Sequence, residues 1–142
     1  MMTEEKRFGR NLSHLARPEP PDVLVLIIVG DVLIEDARVI MDALVAFGQG
    51  RPLTFALVDL SRMGTMSLEA RKHVAHTQFA TRHGGTAVFG AGLVQRMLAS
   101  LVVRAYNLIH PNGYDIAFFD SEAAARAWID QQRRKLTGTP CS

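Results

Sequence analysis

A carboxylate near the end of the predicted strand LTFALVDL, residues 53–60, and hydroxyls in the short polar stretch after it stand close together in the sequence. The residues that could do chemistry there are Asp59, Ser61, Thr65 and Ser67. Their oxygen atoms can bind a partner through hydrogen bonds, and each hydroxyl can carry a phosphoryl group. Ser67 directly precedes a helical sequence, so its hydroxyl can instead cap that helix. The spacing favours the cap and leaves two interpretations open, a phosphorylation switch or a connector.

Small or polar residues also follow the other predicted strands. Asp31 follows the first inner strand, Gly90 and Gly92 follow the third, and Ser121 follows the last. The carboxyl ends of parallel strands lie along one edge of a sheet, where ligands of open α/β folds bind. We therefore expect these residues to form a rim that could bind an anion or a partner. Ser121 also suits a helix N-cap.

Gly90 and Gly92, in a Gly-Ala-Gly sequence between a strand and a helix, could belong to a phosphate-binding loop. A full dinucleotide fingerprint requires a third glycine three positions after Gly92, where this chain has Gln95. We interpret the sequence as a tight turn that needs small residues, and we predict no cofactor.

Glu69, His73 and His76 share one face of the helix that follows Ser67, so they could form a metal site. Their spacing differs from His-Glu-x-x-His, and the sequence has no thiol near them. We interpret them as a solvated helix face. Since no nucleophile elbow or other catalytic set is present in the sequence, we predict no metal and no enzymatic activity.

The composition is that of one ordinary globular domain, with 142 residues and 48% hydrophobic side chains. The net charge of +2, from 16 basic and 14 acidic residues, is too small to predict nucleic-acid binding. The densest basic run, Arg133-Arg134-Lys135, suits the last turn of a helix. Cys141 is the single cysteine, so an intramolecular disulfide cannot form.

The N-terminal residues are charged rather than apolar, and the longest apolar run is VLVLIIV, residues 23–29. That run is far shorter than the roughly 20 residues that span a bilayer. We therefore expect no membrane span and a soluble, cytoplasmic protein.

Strand and helix patterns alternate along the chain. Predicted strands cover residues 23–30, 53–60, 86–90 and 114–119, and predicted helices cover 34–47, 67–83, 92–110 and 120–136. This alternation predicts a single α/β domain with a mostly parallel sheet of four to five strands and about four helices. We place the domain at residues 22–136, after a segment 1–21 that is partly disordered or forms an edge strand, and before a frayed tail at 137–142.

The predicted helix 92–110 carries one broad apolar arc, which we expect to pack on the sheet. Val103 and Tyr106 lie towards its polar side. The arc consists of Val94, Met97, Leu98, Leu101, Val102, Ala105, Leu108 and Ile109. Such a helix could alternatively cover a pocket for an apolar ligand.

Two segments resemble the STAS domain, the small α/β module of bacterial anti-sigma-factor antagonists and sulfate-transporter tails. The first runs from VLVLIIVGDVLIEDARVIMDALVAF to PLTFALVDLSRM, and the second is FFDSEAAARAWI, residues 118–129. The matching motifs are Gly30-Asp31, Asp59-Leu60-Ser61 and the closing Ser-Glu-x-Ala helix. The likeness covers residues 22–130. The long third helix and Trp128 resemble a divergent STAS-like branch of uncharacterised bacterial proteins, which has been likened to CRAL-TRIO lipid-binding domains.

The resemblance implies a partner-binding module that some members switch by phosphorylating a hydroxyl at the start of the helix after Asp-Leu-Ser. In the family's pattern, Asp-Ser-Ser/Thr-Gly follows that motif after two residues. Here Gly64 takes the place of the acid and Met66 that of the phosphorylated residue, and only a shift of one residue brings Ser67 onto the site.

On these grounds we predict a STAS-like, non-enzymatic regulatory or protein-interaction module with an unidentified protein partner. The alternative is a small-molecule or lipid-binding carrier. A homodimer, formed through a helix face or a sheet edge, is compatible with both.

Overall fold

The computed structural model describes residues 4–77, 82–110 and 115–138. The elements along the chain are β1 (Lys6–Phe8), a short 3-10 turn (Arg10–Leu12), β2 (His14–Glu19), β3 (Val23–Val32), α1 (Ile34–Gly48), β4 (Leu53–Met66), α2 (Leu68–His76), β5 (Arg82–Phe89), α3 (Leu93–Ile109), β6 (Ile116–Phe119) and α4 (Glu122–Thr137). The predicted order of strands and helices is confirmed from β3 to α4. Cys141 and most of the predicted tail, residues 139–142, lie outside the described residues.

The six strands of the described residues form one sheet, in the order β1-β2-β3-β4-β5-β6. β1, β2 and β3 pair antiparallel, whereas β3, β4, β5 and β6 pair in parallel. The α/β class and the mostly parallel sheet are confirmed, but the predicted count of four to five strands is wrong. The sixth strand arises because segment 1–21, expected to be partly disordered or one edge strand, forms two strands: β2 pairs with β3, and β1 pairs with β2. The boundaries of the domain at residues 22–136 remain a prediction.

β3 is apolar at successive positions because helices cover both faces of the sheet. Leu24 and Leu26 pack with α1, α2 and α3 on one face, and Val23 and Val25 pack with Ile129 of α4 on the other. All five side chains are buried. Each of α1, α2 and α3 leads from one parallel strand to the next, so the carboxyl ends of those strands share one edge of the sheet.

Two arginines attach α4 to the end of β2 and to the turn that follows it. Arg126 donates to both carboxylate oxygens of Glu19 at 2.7 and 3.0 Å, and Arg133 donates to both oxygens of Asp22 at 2.6 and 2.8 Å. The hydrogen bond from Arg126 lowers the pKa of the Glu19 carboxyl. Such bidentate ion pairs fix the relative position of their two partners as well as contributing energy, so they set the position of α4 along the sheet. Arg133 of the basic run therefore has a specific structural partner.

α3 packs on the sheet through a different face from the one that its apolar arc predicts. Its buried side chains are Val102, Val103 and Tyr106, although the periodicity places Val103 and Tyr106 towards the polar side. Much of the arc is exposed, including 55% of Met97 and 88% of Leu108. The predicted orientation of this helix is therefore wrong.

Polar contacts at both ends of α3 explain why the helix is rotated about its axis relative to the orientation that its apolar arc predicts. The side-chain amide of Gln95 donates to the carbonyl oxygens of Met63 and Gly64 at 3.2 and 3.1 Å. Beyond the other end, His110 Nε2 lies 3.1 Å from the carbonyl oxygen of Ala75. These hydrogen bonds turn Gln95 towards the sheet and the apolar arc towards solvent. A helical periodicity carries no information about such contacts with neighbouring elements.

No helix in the described parts of the chain is both long and apolar enough to cross a membrane.

Candidate functional site

The polar stretch after Leu60 is part of β4. Residues 61–66 continue the strand and pair in parallel with the end of β3. The predicted loop between the strand and the helix is therefore wrong. Ser61 and Thr65 are exposed on this extension, which explains why its composition resembles that of a loop.

Two β-bulges interrupt the pairing of the extension with β3. The register shifts between the pairs Ile27–Asp59 and Val29–Arg62, and again between the pairs Gly30–Met63 and Val32–Met66. At each shift β4 contains one residue more than β3, so the strand bends and its nearby side chains are redirected. Bulges of this kind are common next to functional sites for that reason.

At the first bulge, Asp59 binds Ser61. The Oδ1 atom of Asp59 accepts hydrogen bonds from the backbone N–H of Ser61 at 2.9 Å and from its hydroxyl at 2.7 Å. The carboxylate thus replaces the acceptor that regular pairing would supply. Gly90 lies against the same serine, since a Cβ at position 90 would be 2.8 Å from the Ser61 Cβ. The fold therefore brings Asp59, Ser61 and Gly90 together.

At the second bulge, Asp31 binds Thr65. The Oδ1 atom of Asp31 accepts hydrogen bonds from the backbone N–H of Thr65 at 2.9 Å and from its hydroxyl at 3.2 Å. Both bonds favour the ionised carboxylate, the backbone bond more strongly, so they lower the pKa of Asp31. A Cβ at position 64 would collide with the same oxygen. Gly64 therefore allows the carboxylate to approach, and we call Asp31, Asp59, Ser61 and Thr65 the strand-end rim.

Ser67 and Ser121 are helix N-caps, as predicted. Ser67 Oγ accepts a hydrogen bond from the backbone N–H of Ala70 at 3.1 Å, and Ser121 Oγ accepts one from Ala124 at 3.2 Å. Each cap satisfies an N–H that the helix itself leaves without an acceptor, a contribution of about 1 kcal/mol. Ser67 follows the rim directly, but its hydroxyl is already in use.

Ser121 lies apart from the rim, and Gly92 approaches it through Gln95, whose amide donates to the carbonyl oxygens of Met63 and Gly64. Gly92 is the N-cap residue of α3. The side chain of Gln95 lies close to it, since Gln95 Oε1 would be 2.8 Å from a Cβ at position 92. Ser121 begins α4 after β6, which is separated from β4 by β5. Gly90 has a φ of +75°, which is a conformation that glycine adopts without strain. These features fit the interpretation of Gly-Ala-Gly as a tight turn.

His73 and His76 do not meet a third metal ligand in the described residues, where no group of three or more His, Cys, Asp or Glu side chains could hold one ion. The Nδ1 atom of His76 lies 2.8 Å from the carbonyl oxygen of Lys72, one turn earlier on α2.

The fold buries one polar pair that sequence patterns do not reveal. His14 on β2 and Asp36 on α1 are 1% and 8% exposed, and His14 Nε2 lies 3.7 Å from Asp36 Oδ2. The same carboxylate oxygen accepts from the N–H of Leu33 at 2.9 Å, and His14 Nδ1 accepts from the N–H of Val29 at 3.0 Å. Because Nδ1 accepts, the neutral ring carries its proton on Nε2, which faces the carboxylate.

The His14–Asp36 pair lines a polar cleft of about 590 Å³. Arg10 and Asn11 of the 3-10 turn contribute to the same cleft, and so does Asp31 of the strand-end rim. Since Asp31 belongs to both features, a molecule that entered the cleft would also reach the rim.

A separate apolar cavity of about 140 Å³ lies between the sheet and helices α1, α2 and α3. Met63 and Met66 of the β4 extension line it, together with Ala99 and Val102 of α3. The extension therefore presents hydroxyls to solvent and methionines to the cavity, and the two bulges make this possible because they break the strict alternation of side chains along the strand.

Comparison with known proteins places the fold. No protein-family model matches this chain, and no curated protein matches it. The solved structures that are similar to it include an uncharacterized protein from the DUF3478 family with a SpoIIAA-like fold, from Shewanella loihica PV-4. That protein is 20% identical with a TM-score of 0.55, and the match covers 90% of this chain and 95% of that chain. They also include the anti-sigma factor antagonist SpoIIAA in its unphosphorylated form, which is 12% identical with a TM-score of 0.51, over 82% of this chain and 97% of that chain.

At these identities the similarity establishes the fold, and the chain has the SpoIIAA-like fold of STAS domains. The predicted STAS-like fold is confirmed. The likeness to CRAL-TRIO domains remains a prediction, and so do the roles of the strand-end rim residues.

Proposed function

We propose that this chain is a non-enzymatic module that binds a protein partner through the strand-end rim. The observation that carries the proposal is the bulged extension of β4, which exposes Ser61 and Thr65 while Asp59 and Asp31 hold its backbone. A surface that is already ordered loses less entropy on binding, so it suits recognition. The fold supports the proposal, because one protein that shares it is named as an anti-sigma factor antagonist.

Thr65 is the hydroxyl that we propose as a switch. It is exposed and donates to Asp31, whereas the hydroxyl of Ser67 serves the cap of α2. A phosphoryl group on Thr65 would replace a hydrogen bond by repulsion between two anions. The second bulge would lose the contact that fixes it, and the surface offered to a partner would change shape. Mass spectrometry of the chain from its native cells is expected to find phosphate on Thr65, and phosphate on Ser67 alone would overturn this assignment.

We expect Thr65→Glu to weaken partner binding at least about tenfold, because it places a second carboxylate beside Asp31 within the binding surface. A partner would be captured from a lysate of the native cells, identified, and then titrated with purified variants. Thr137→Glu is the matched control, since it adds the same charge at the far end of α4. Equal affinities for the two variants would contradict the proposal.

A second candidate function is the binding of a small apolar ligand in the cavity beneath α3. Its volume of about 140 Å³ is close to that of an engineered apolar cavity, about 150 Å³, that binds benzene. The lining is apolar apart from Thr86, so recognition would depend on shape and apolar contact. A ring or a short alkyl group fits such a volume, whereas a long acyl chain does not.

We expect Ala99→Leu to fill part of this cavity and to abolish ligand binding, with a change in the free energy of unfolding within about 1 kcal/mol. Benzene in the buffer should raise the Tm of the wild-type chain and leave that of the variant unchanged. Ala124→Leu, which adds the same atoms on the exposed side of α4, should respond to benzene as the wild type does. An unchanged wild-type Tm would contradict this second function.

A further inference from the structure

The side of α3 that faces solvent is its most apolar side. We define the outer face of α3 by the exposed residues Leu93, Val94, Met97, Leu101, Arg104 and Leu108. Leu93 and Leu108 are 84% and 88% exposed. Single exposed apolar residues are ordinary on a protein surface, but these follow one another at three- and four-residue spacing along one stripe. The stripe extends about 22 Å at 1.5 Å per residue, a contiguous patch that marks an interaction site.

The outer face is turned outward by specific contacts. Gln95 donates to two carbonyl oxygens of the β4 extension, and Arg96 Nε donates to the carbonyl oxygen of Ala91 at 3.3 Å. Tyr106 and its neighbours occupy the sheet side of the helix. Rolling α3 to bury the outer face would break these hydrogen bonds and expose Tyr106. The apolar stripe therefore needs a partner from outside the domain.

The charges on α3 indicate which partner. Its 17 residues contain Arg96 and Arg104 but no acidic residue. Arg104 lies within the outer face, so pairing of this face with a second copy would bury guanidinium groups that no carboxylate of α3 could neutralise, which is costly. At a lipid surface the same side chain can extend its stem along the apolar layer and bind headgroup phosphates. Arg96 lies off the outer face and pairs with Asp120 at 3.4 Å, so the positive charge that this face itself presents is Arg104. An apolar stripe that carries basic and no acidic residues is typical of helices that lie in the membrane interface.

We propose that the outer face of α3 binds the surface of a membrane that contains anionic lipids, with the helix lying in the plane of the interface. Leu93, Met97, Leu101 and Leu108 enter the boundary of the acyl layer, and Arg104 contacts lipid phosphate. Because Gln95 at the start of the helix contacts the β4 extension, the strand-end rim is held close to the docked helix.

The test is co-sedimentation of the full chain with two kinds of vesicle, phosphatidylcholine alone and phosphatidylcholine mixed with phosphatidylglycerol. We expect binding to the mixed vesicles, which salt weakens, and little binding to phosphatidylcholine alone. Leu101→Glu with Leu108→Glu should reduce partitioning at least about tenfold. Arg104→Gln should reduce it about fivefold on the mixed vesicles. Leu12→Glu, at an exposed leucine beside β1 on the opposite edge of the sheet, should leave it unchanged.

Equal binding of the α3 double variant and the Leu12 variant would overturn the proposal. An absence of binding to both kinds of vesicle would also overturn it. Sedimentation velocity would then show whether the chain is a monomer or forms a dimer that the double variant dissociates. The second outcome would identify the outer face as an interface between copies of this chain. Circular dichroism and urea unfolding establish that each variant is folded. If the double variant does not fold, the Arg104 variant still decides, since equal binding with and without this charge would contradict the role of anionic lipid.

Discussion

Replacing Asp36 with alanine is expected to lower the free energy of unfolding by about 1–3 kcal/mol. The carboxylate is buried at the first turn of α1, where it accepts the N–H of Leu33 and faces His14. Alanine leaves the N–H of Leu33 without this acceptor and removes the carboxylate that His14 Nε2 faces at 3.7 Å. An unsatisfied donor of this kind costs about 1–3 kcal/mol. Urea unfolding of the two proteins measures the difference.

Glu35→Ala is the matched control for this substitution. It removes the same charge from the same helical turn, but Glu35 is exposed. Its loss should change the free energy of unfolding by less than about 0.5 kcal/mol. Asp36→Asn keeps an oxygen acceptor and should fall between the two. A Glu35 variant that is destabilised as much as the Asp36 variant would contradict the importance of the buried contacts.

A double-mutant cycle separates the two contacts of Asp36. If the carboxylate stabilises the ring of His14, then His14→Gln and Asp36→Ala together should cost less than the sum of the single substitutions, by about 0.5 kcal/mol or more. Additive effects would show that the cap of α1 accounts for the role of Asp36.

Acidification from pH 6.5 to about pH 4 is expected to destabilise the fold through His83 by up to about 3 kcal/mol. Burial lowers the pKa of His83 from 6.5 to about 4 in the folded chain. Between these values the unfolded chain binds a proton that the folded chain does not bind. The stabilising contribution is therefore complete above pH 6.5, and it decreases as the pH falls towards 4.

His83→Gln isolates this effect, because the amide can keep a hydrogen bond to Thr86 Oγ1, 3.1 Å from His83 Nε2, without titrating. We expect the free energy of unfolding of the variant to fall less steeply in this range, by up to about 1.4 kcal/mol per pH unit. The lowered pKa values of Glu19 and Asp31 also make acid destabilising, at lower pH. Both carboxylates are present in the wild type and in the variant, so their contributions cancel when the two pH profiles of the free energy of unfolding are subtracted. Parallel pH profiles for wild type and variant would show that His83 does not carry the effect.

Local rules were sufficient for much of the fold. The continuous apolar run of β3 predicts a strand covered on both faces, and the structure places apolar side chains of β3 in both cores. Ser67 and Ser121 have the N-cap role that their positions before helical sequences predict. Asp31 and Asp59 follow strand patterns, so the edge of the sheet where they stand could be predicted as well. Each of these inferences depends on residues close together in the chain.

The tertiary structure decided the features that depend on distant residues. The stretch after Leu60 has the composition of a loop, and it becomes strand because the end of β3 offers it a pairing partner. α3 turns its apolar side outward because Gln95 finds acceptors on β4. His14 and Asp36 come from separate elements and meet only when β2 packs beside α1. The sequence by itself therefore determined the order of strands and helices from β3 to α4 and the edge at which the rim residues stand. Hydrogen bonds between elements, which no local periodicity encodes, decided how the rim is built and which surface of α3 is exposed.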